Sequence, residues 1–434
     1  MSGLMIAAPA SGSGKTVVTL GLMRALKRRG LQLAPGKAGP DYIDPAFHSA
    51  ASGETCFNFD PWAMRPEFLR HQAASHGSGR LLLIEAMMGL FDGAADGSGS
   101  AGDLAAWLAL PVVLVVDCAK TSQSVAALVS GFAGYRPDVR VAGVILNRVG
   151  SDRHELMLRT ALDAIGVVVL GAIRSDAGLA LPERHLGLVQ AGEHAALETF
   201  VGHAADVMES CCNLDRLVAL ADSRAGLSRV PVVSSIAPFG GHVAIARDMA
   251  FAFSYAHMIE GWRGQGSQVS FFSPLANEAP SADADAVYLP GGYPELHAGT
   301  LANASGFRTG MLSAAQRGAL IYGECGGYMV LGDALIDGEG KSHAMLGLLP
   351  LVTSYAARKR HLGYRRLTSL QPDLFSQPLT AHEFHYSTVV SEGDADRLFR
   401  AEDALGELLG EAGLRRGNVF GSYMHLVDIT ETGA

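Results

Sequence analysis

The sequence predicts two α/β units in tandem, the first a doubly wound sheet of mainly parallel strands. Through the first half, short apolar runs bounded by turn residues alternate with helix-length segments, the pattern of strands layered between helices. From about Glu193 to Arg229 the strand signal stops, and a second α/β series opens at Pro231. Hydrophobic residues make up 48% of the 434 residues and charged residues 18%. The usual charged share is about 25%, so the chain is rich enough in core residues to fill both units.

The elements justify this reading one by one. Leu4–Ala8 is an apolar strand that runs into a Gly-rich loop. Val17–Arg29 follows with helical periodicity and stops in a basic last turn before Gly30. Leu81–Ile84, Pro111–Val116, Val141–Leu146 and Val167–Ile173 are short apolar runs, as expected of central parallel strands buried on both faces. Two helical segments, 195–208 and 214–223, fill the connector. Later strands are expected at 232–236, 268–272, 286–289 and 320–322, with a helix over 328–335. The last third mixes short alternating runs with turns, which suits an antiparallel edge. The domains are therefore 1–192, a helical connector 193–230, and 231–434.

Charge and cysteine usage exclude several classes. Thirty-four basic residues against 43 acidic ones give a net charge of −9, and no domain-scale basic excess favours nucleic acid as the main partner. No apolar run reaches the ~18 residues of a membrane span. The start, Met1–Ala8, lacks a cationic stretch and is too short for a signal peptide. The expectation is a cytoplasmic protein without membrane association. Five cysteines, Cys56, Cys118, Cys211, Cys212 and Cys325, form no C-x-x-C pair. That argues against a disulfide framework or a zinc site and leaves each as a small buried hydrophobe or a nucleophile.

Pro9-Ala10-Ser11-Gly12-Ser13-Gly14-Lys15-Thr16 stands between a strand and a helix. Apart from Pro9 in place of the first glycine, it matches the phosphate-loop pattern G-x-x-x-x-G-K-[ST]. Backbone N–H groups around Gly12, Ser13 and Gly14 would wrap phosphate oxygens of ATP at a helix start, with Lys15 on the outer phosphates and Thr16 on Mg²⁺. Partition-type ATPases carry an extra lysine near the loop start. Ala10 stands there, which counts against a dimeric switch ATPase.

Lys37–His48 is a dense polar loop, and Glu85 ends an apolar strand. Ligands of α/β sheets bind beyond the carboxyl ends of strands, so Asp41 and Glu85 are the candidate metal ligands. Asp92 is a candidate substrate contact, and Asn147, at the end of another strand, a candidate reader of the nucleotide base. A cap or turn role is the competing reading for each carboxylate.

Gly323-Glu324-Cys325-Gly326-Gly327 follows an apolar strand and leads into a helical segment. This is a G-x-nucleophile-x-G elbow with cysteine as nucleophile. The N–H of Gly326 can donate to an oxyanion, and Gly292 in Leu289-Pro290-Gly291-Gly292 is the candidate second donor. His425 is the candidate base, and such a Cys–His pair performs acyl transfer through a thioester.

Together these stretches resemble one family along nearly the whole chain: the cobyrinic acid and hydrogenobyrinic acid a,c-diamide synthases of cobalamin biosynthesis. Further matching stretches are Gly39-Pro40-Asp41-Tyr42-Ile43-Asp44-Pro45, Leu181–Leu188, Pro290–Leu296 and His382-Glu383-Phe384-His385-Tyr386-Ser387. The resemblance implies a dethiobiotin synthetase-like P-loop domain followed by a class I glutamine amidotransferase domain. It implies that Cys325 and His425 release ammonia from glutamine. ATP and Mg²⁺, held by Lys15, Thr16, Asp41 and Glu85, then activate a substrate carboxylate as an acyl phosphate, with Asp44 and Asp92 placing the corrinoid. Ammonia is carried internally between the sites. Homodimers are common among such enzymes.

The chain departs from the class I pattern in one respect: the glutamate that often orients the histidine from two residues on is Val427 here. The readings kept alongside are amidation of other corrinoid or nickel-tetrapyrrole side chains, and a P-loop regulatory ATPase fused to a degenerate glutaminase-like domain. The run Arg358–His361 faces either a polyanionic substrate or solvent, and His382 and His385 either line a site or pack.

Overall fold

A computed structural model describes residues 2–180, 183–184, 187–188, 196–222, 233 and 235–430. The chain divides into two compact units, Met1–Trp62 with Pro66–Val233, and Ala63–Arg65 with Ser234–Ala434.

The first unit runs β1 (Ser2–Ala7), α1 (Lys15–Arg28), β2 (Leu33–Ala38), α2 (Asp44–Ser52), β3 (Phe57–Phe59), α3 (Pro66–His76), β4 (Leu81–Glu85), α4 (Ala101–Trp107), β5 (Val112–Asp117), α5 (Val125–Tyr135), β6 (Val141–Val149), α6 (Asp152–Asp163) and β7 (Val169–Arg174). Its seven strands lie in the order β3-β2-β4-β1-β5-β6-β7, and every pairing is parallel. The order reverses around β1, so the loop after β1 opens at the carboxyl edge where such sheets bind ligands. β1 and β5 are apolar and buried almost throughout, which is why their runs were legible as strands. β2 and β3 were not anticipated. β2 reads Leu-Ala-Pro-Gly-Lys-Ala, with no apolar run, and is extended because β3 and β4 flank it.

Of the signature stretch Leu181–Leu188, only β8 (Glu183–Arg184) and β9 (Gly187–Leu188) belong to the described residues, as an antiparallel pair. The helices expected in the connector are α7 (Leu197–Cys211) and α8 (Leu214–Ala221). They complete the first unit's core. Val201, Ala205, Met208, Leu214 and Leu217 share one buried cluster with Val18, Leu22 and Leu26 of α1.

The second unit runs β10 (His242–Ala246), α9 (Ala256–Gly264), β11 (Gln268–Phe272), β12 (Ala286–Leu289), α10 (Ala298–Asn303), α11 (Ser305–Gln316), β13 (Leu320–Glu324), α12 (Gly326–Leu331), β14 (Ala334–Ile336), β15 (Ser342–Ala344), β16 (Leu351–Ser354), β17 (His361–Ser369), β18 (Leu379–His385), β19 (Thr388–Glu392), β20 (Asp396–Glu402), β21 (Leu408–Arg416), β22 (Val419–Ser422) and β23 (Met424–Ile429). The ten-stranded sheet has the order β11-β10-β12-β13-β22-β21-β20-β17-β18-β23. It is parallel from β11 to β22 and antiparallel beyond. The second sheet is β15-β14-β16-β19.

Two expectations are corrected here. The described residues of 232–236, Val233, Ser235 and Ile236, are not in a strand, and the opening strand is His242–Ala246. The helix expected over 328–335 is α12, which starts at Gly326 and ends at Leu331, with Ala334–Ile336 already a strand. All six residues of α12 are buried, so it has no polar face from which periodicity could mark its ends.

Candidate active site

In the first unit, the loop after β1 folds around two left-handed residues, Gly12 (φ 80°) and Gly14 (φ 86°). A side chain at Gly14 would fall 2.3 Å from Asn147 Nδ2, so only glycine fits. Ser13 Oγ donates to Ala10 O at 2.8 Å, and Asn147 Nδ2 donates to Ser13 O at 2.9 Å. Asn147 was expected to read the base. Its amide is committed to the loop backbone and its oxygen accepts from Arg148 N at 3.0 Å, so it braces the loop. A cavity of about 470 Å³ is lined by Gly12, Gly14, Lys15, Thr16 and Asn147, together with Arg148, Arg174 and Asp176. That volume is in the range of small-molecule sites.

Behind the loop lies a buried charge cluster. Thr16 Oγ1 donates to Glu85 Oε1 at 2.7 Å. Lys37 Nζ sits 3.0 Å from Glu85 Oε1, 2.5 Å from Asp44 Oδ2 and 4.0 Å from Asp41 Oδ2. His48 Nε2 meets Glu85 Oε2 at 2.6 Å. Lys37, Asp44, His48 and Glu85 are all buried. Burial alone would lower the Lys37 pKa, but the Asp44, Glu85 and Asp41 carboxylates outweigh it and hold the ammonium above its usual range. Glu85 is the mirror case. Burial would raise it, while Lys37 and His48 hold it below the usual carboxylate range. Asp44 is pushed up to about 6 by burial and by the Asp41 charge. Lys15 is lowered, first by burial, against the opposing pull of Glu85.

The structure thus gathers the candidates Lys15, Thr16, Asp41, Asp44 and Glu85 in one place. Thr16 and Glu85 offer hard oxygen donors 2.7 Å apart, a set that suits Mg²⁺ bridging to phosphate oxygens. Asp41 uses Oδ1 to cap the start of α2, accepting from Ile43 N at 2.7 Å and Asp44 N at 3.1 Å, and turns Oδ2 toward Lys37. Asp92 is exposed and accepts from Gly89 N at 2.9 Å, a turn contact. Sequence reasoning gave no role to Lys37 and His48. Their signal was an isolated cation and imidazole inside a segment otherwise rich in turn residues.

In the second unit, Cys325 joins β13 to α12 with φ 47° and ψ −105°. A non-glycine residue there is strained, as a nucleophile elbow requires. Its N–H donates to Ser422 O at 2.8 Å and its Sγ lies 3.7 Å from Phe384 O. β22 runs beside β13 and turns through Tyr423 into β23, which brings His425 to the cysteine. A side chain at Gly291 would meet His425 Cε1 at 2.4 Å and Cys325 Cβ at 3.3 Å, so this position must be glycine. The candidate oxyanion donors are also neighbours, since a β-carbon at Gly326 would lie 3.0 Å from Gly292 N. Cys325 and His425 are both buried. Burial alone would lower the His425 pKa, but the Cys325 sulfur and Glu324 push it up to about 10.

The sequence left the histidine's partner open, and the nearest carboxylate that the structure brings to its Nδ1 is that of Glu324. Its Oε2 is 3.7 Å from His425 Nδ1. His382 pairs with His425 in register across β18 and β23, and burial, then the His425 charge, lowers it to about 3. His385 stacks on Tyr423 at 3.8 Å. It also contacts Glu383 at 3.0 Å, whose other oxygen is 2.6 Å from Arg365 Nη2. Arg358, Lys359 and Arg360 are exposed.

Two family models match. Residues 4–189 match a CobQ/CobB/MinD/ParA nucleotide binding domain, and residues 242–430 a CobB/CobQ-like glutamine amidotransferase domain. The chain is 64% identical over 430 residues to a hydrogenobyrinate a,c-diamide synthase of Sinorhizobium sp, covering 99% of both chains. The chain belongs to the hydrogenobyrinate a,c-diamide synthase family. A relative of that name from Rhizobium meliloti is also 64% identical, over 432 residues, with 99% of this chain and 100% of the relative covered. One from Rhodobacter capsulatus is 50% identical over 435 residues, with 98% of each covered. The family's two domains fall one on each of the two units described above. Among the described residues no helix is long and apolar enough to cross a membrane.

Proposed function

We propose that this chain is an ATP- and glutamine-dependent amide ligase that converts the a and c acetate carboxylates of hydrogenobyrinic acid to amides in cobalamin biosynthesis. The observation that carries the chemistry is a strained, buried Cys325 beside His425 on the same chain as a phosphate loop backed by a buried lysine–carboxylate cluster. The substrate reading is supported by the full-length relatives, which are hydrogenobyrinate a,c-diamide synthases.

In the second unit, His425 takes the Cys325 proton and the sulfur attacks the glutamine side-chain carbonyl. The oxyanion is met by the N–H groups of Gly292 and Gly326. His425 returns the proton to the departing nitrogen, which leaves as ammonia, and water clears the thioester to glutamate. In the first unit, a substrate carboxylate oxygen attacks the γ-phosphorus of ATP and ADP leaves. Ammonia then adds to the acyl phosphate carbon and phosphate departs. Phosphorylation is required because a carboxylate is a poor electrophile. Lys15 and the loop amides bind the phosphates. Thr16, Glu85 and Asp41 would hold Mg²⁺, which neutralises charge on the transferring phosphate. Asp44 and Asp92 are the residues proposed to hold the corrinoid, Asp92 being exposed.

The test is mass spectrometry of products from purified protein with ATP, Mg²⁺, glutamine and hydrogenobyrinic acid. Each amidation exchanges a hydroxyl for an amino group, and two exchanges are expected. Cys325→Ala should lose all product with glutamine and still form it with an ammonium salt. Full glutamine-dependent activity in Cys325→Ala, or no product in the wild type while ATP is still hydrolysed, overturns the reading.

A further inference from the structure

In the second unit, the carboxylate that would steady the catalytic imidazole is missing from its expected place, because Val427 stands two residues after His425. We infer that Glu324, the residue directly before the nucleophile, is the positioning residue for His425. The inference rests on the Cys325–His425 glutaminase reading above.

Four contacts fix this side chain. Glu324 is fully buried at 0% exposure. Its Oε2 lies 3.7 Å from His425 Nδ1, an ion-pair separation that is longer than a hydrogen bond, and such contacts tighten in substrate complexes. Its Oε1 accepts the N–H of Leu426 at 3.1 Å, which ties the carboxylate to the backbone beside the histidine. Tyr288 OH donates to Oε2 at 2.7 Å and Tyr322 OH to Oε1 at 3.0 Å. The two tyrosines are register partners on β12 and β13, with rings stacked at 5.8 Å.

Three donors converge on one carboxylate, so its rotamer is set by β12, β13 and β23 together. Salt-bridge packing in a core does not require a histidine at the open side. Here the open side is the Nδ1 of the base. An acceptor at that nitrogen selects the tautomer and orientation that face the thiol and favours the imidazolium formed when the thiol proton moves. The groups facing His425 include Cys325, Glu324 and His382. Those facing Glu324 include Tyr288, Tyr322 and His425, and Tyr355 and Tyr423 face Cys325. Among these groups Glu324 is the carboxylate.

The test compares wild type with Glu324→Gln and Glu324→Asp. Two quantities are read: glutaminase kcat and KM, and the pH profile of Cys325 alkylation by iodoacetamide, followed on the Cys325 peptide by mass spectrometry. Glu324→Gln should lower kcat about 100-fold with KM for glutamine unchanged. It should move the alkylation profile upward by about one pH unit or more. Glu324→Asp, which keeps the charge one methylene further back, should restore part of both. If Gln at 324 prevents folding, the Asp variant must still show an intermediate profile. An unmoved profile in either folded variant, whatever the change in kcat, overturns the inference and leaves Glu324 a packing residue. Alkylation needs neither glutamine nor a tetrapyrrole, so it is read independently of the proposed function. A wild type without glutaminase activity would overturn that function instead.

Discussion

Lys37 shows how much one side chain can hold together. Its ammonium is buried and lies within 4.0 Å of three carboxylates, Asp41, Asp44 and Glu85. Removing one partner of a buried ion pair typically costs about 3–5 kcal/mol, because the remaining charges are left uncompensated. Lys37→Met is therefore expected to lower unfolding free energy by about that amount in urea titrations, and to abolish ATP-dependent amide formation even with ammonium salts. An isosteric Met variant with unchanged stability would mean that Asp44 and Glu85 relax apart. At this scale Lys15, Thr16 and Cys325 stand in short, specific patterns, and the structure brings Glu85 to Thr16 and His425 to Cys325. The sequence could not show the residues that hold those atoms. Lys37 and His48 reach Glu85, and Glu324 reaches His425, from distant points of the chain, and spacing along a chain carries no information about such pairs.

At the scale of elements, the helix pair α7–α8 carries the clearest lesson. As sequence it is an amphipathic stretch without strands, and a connector is the natural reading. In the structure α7 lies so close to α1 that a β-carbon at Gly21 would fall 2.6 Å from Ala204 O and 2.7 Å from Met208 Cγ. Gly21→Ala must push the two helices apart or bend one of them. Overpacking of this kind costs about 1–3 kcal/mol. The expected outcome is a lower melting temperature, and a shift below one degree would mean that α7 docks loosely. The end of α12 and the extended β2 were illegible for related reasons. α12 is buried on all sides, and β2 carries a proline and a glycine, so neither has the periodicity that marks an element. The flanking β3 and β4 hold β2 extended.

Across the whole molecule, burial lowers the pKa of a histidine in each unit, His76 in the first and His257 in the second. In the second unit His257 is lowered to about 4, chiefly by burial, while its Nε2 bonds Val427 O at 3.1 Å. The sign follows directly. In the unfolded chain the imidazole protonates near 6.5, in the folded chain only near 4. Between those values the unfolded state holds more protons, so stability is fully present above 6.5 and is lost as pH falls toward 4. The slope is on the order of 1 kcal/mol per pH unit. His257→Gln should remove it. Between pH 7 and pH 5 the variant is expected to lose less unfolding free energy than wild type, and equal losses would show that His257 is not held neutral.

The sequence by itself determined the two-unit α/β architecture, the phosphate loop and the cysteine elbow, because each depends on local rules: apolar runs, glycine at left-handed positions, a nucleophile between small residues. Tertiary structure alone decided where Glu85 finds its cations, that Asn147, expected to read the nucleotide base, bonds the loop backbone instead, that α7 and α8 belong to the first core, and which carboxylate stands behind His425. Burial makes the difference. A charge removed from water must find its partner across the fold, and that partner is selected by where the strands end, not by its distance along the chain.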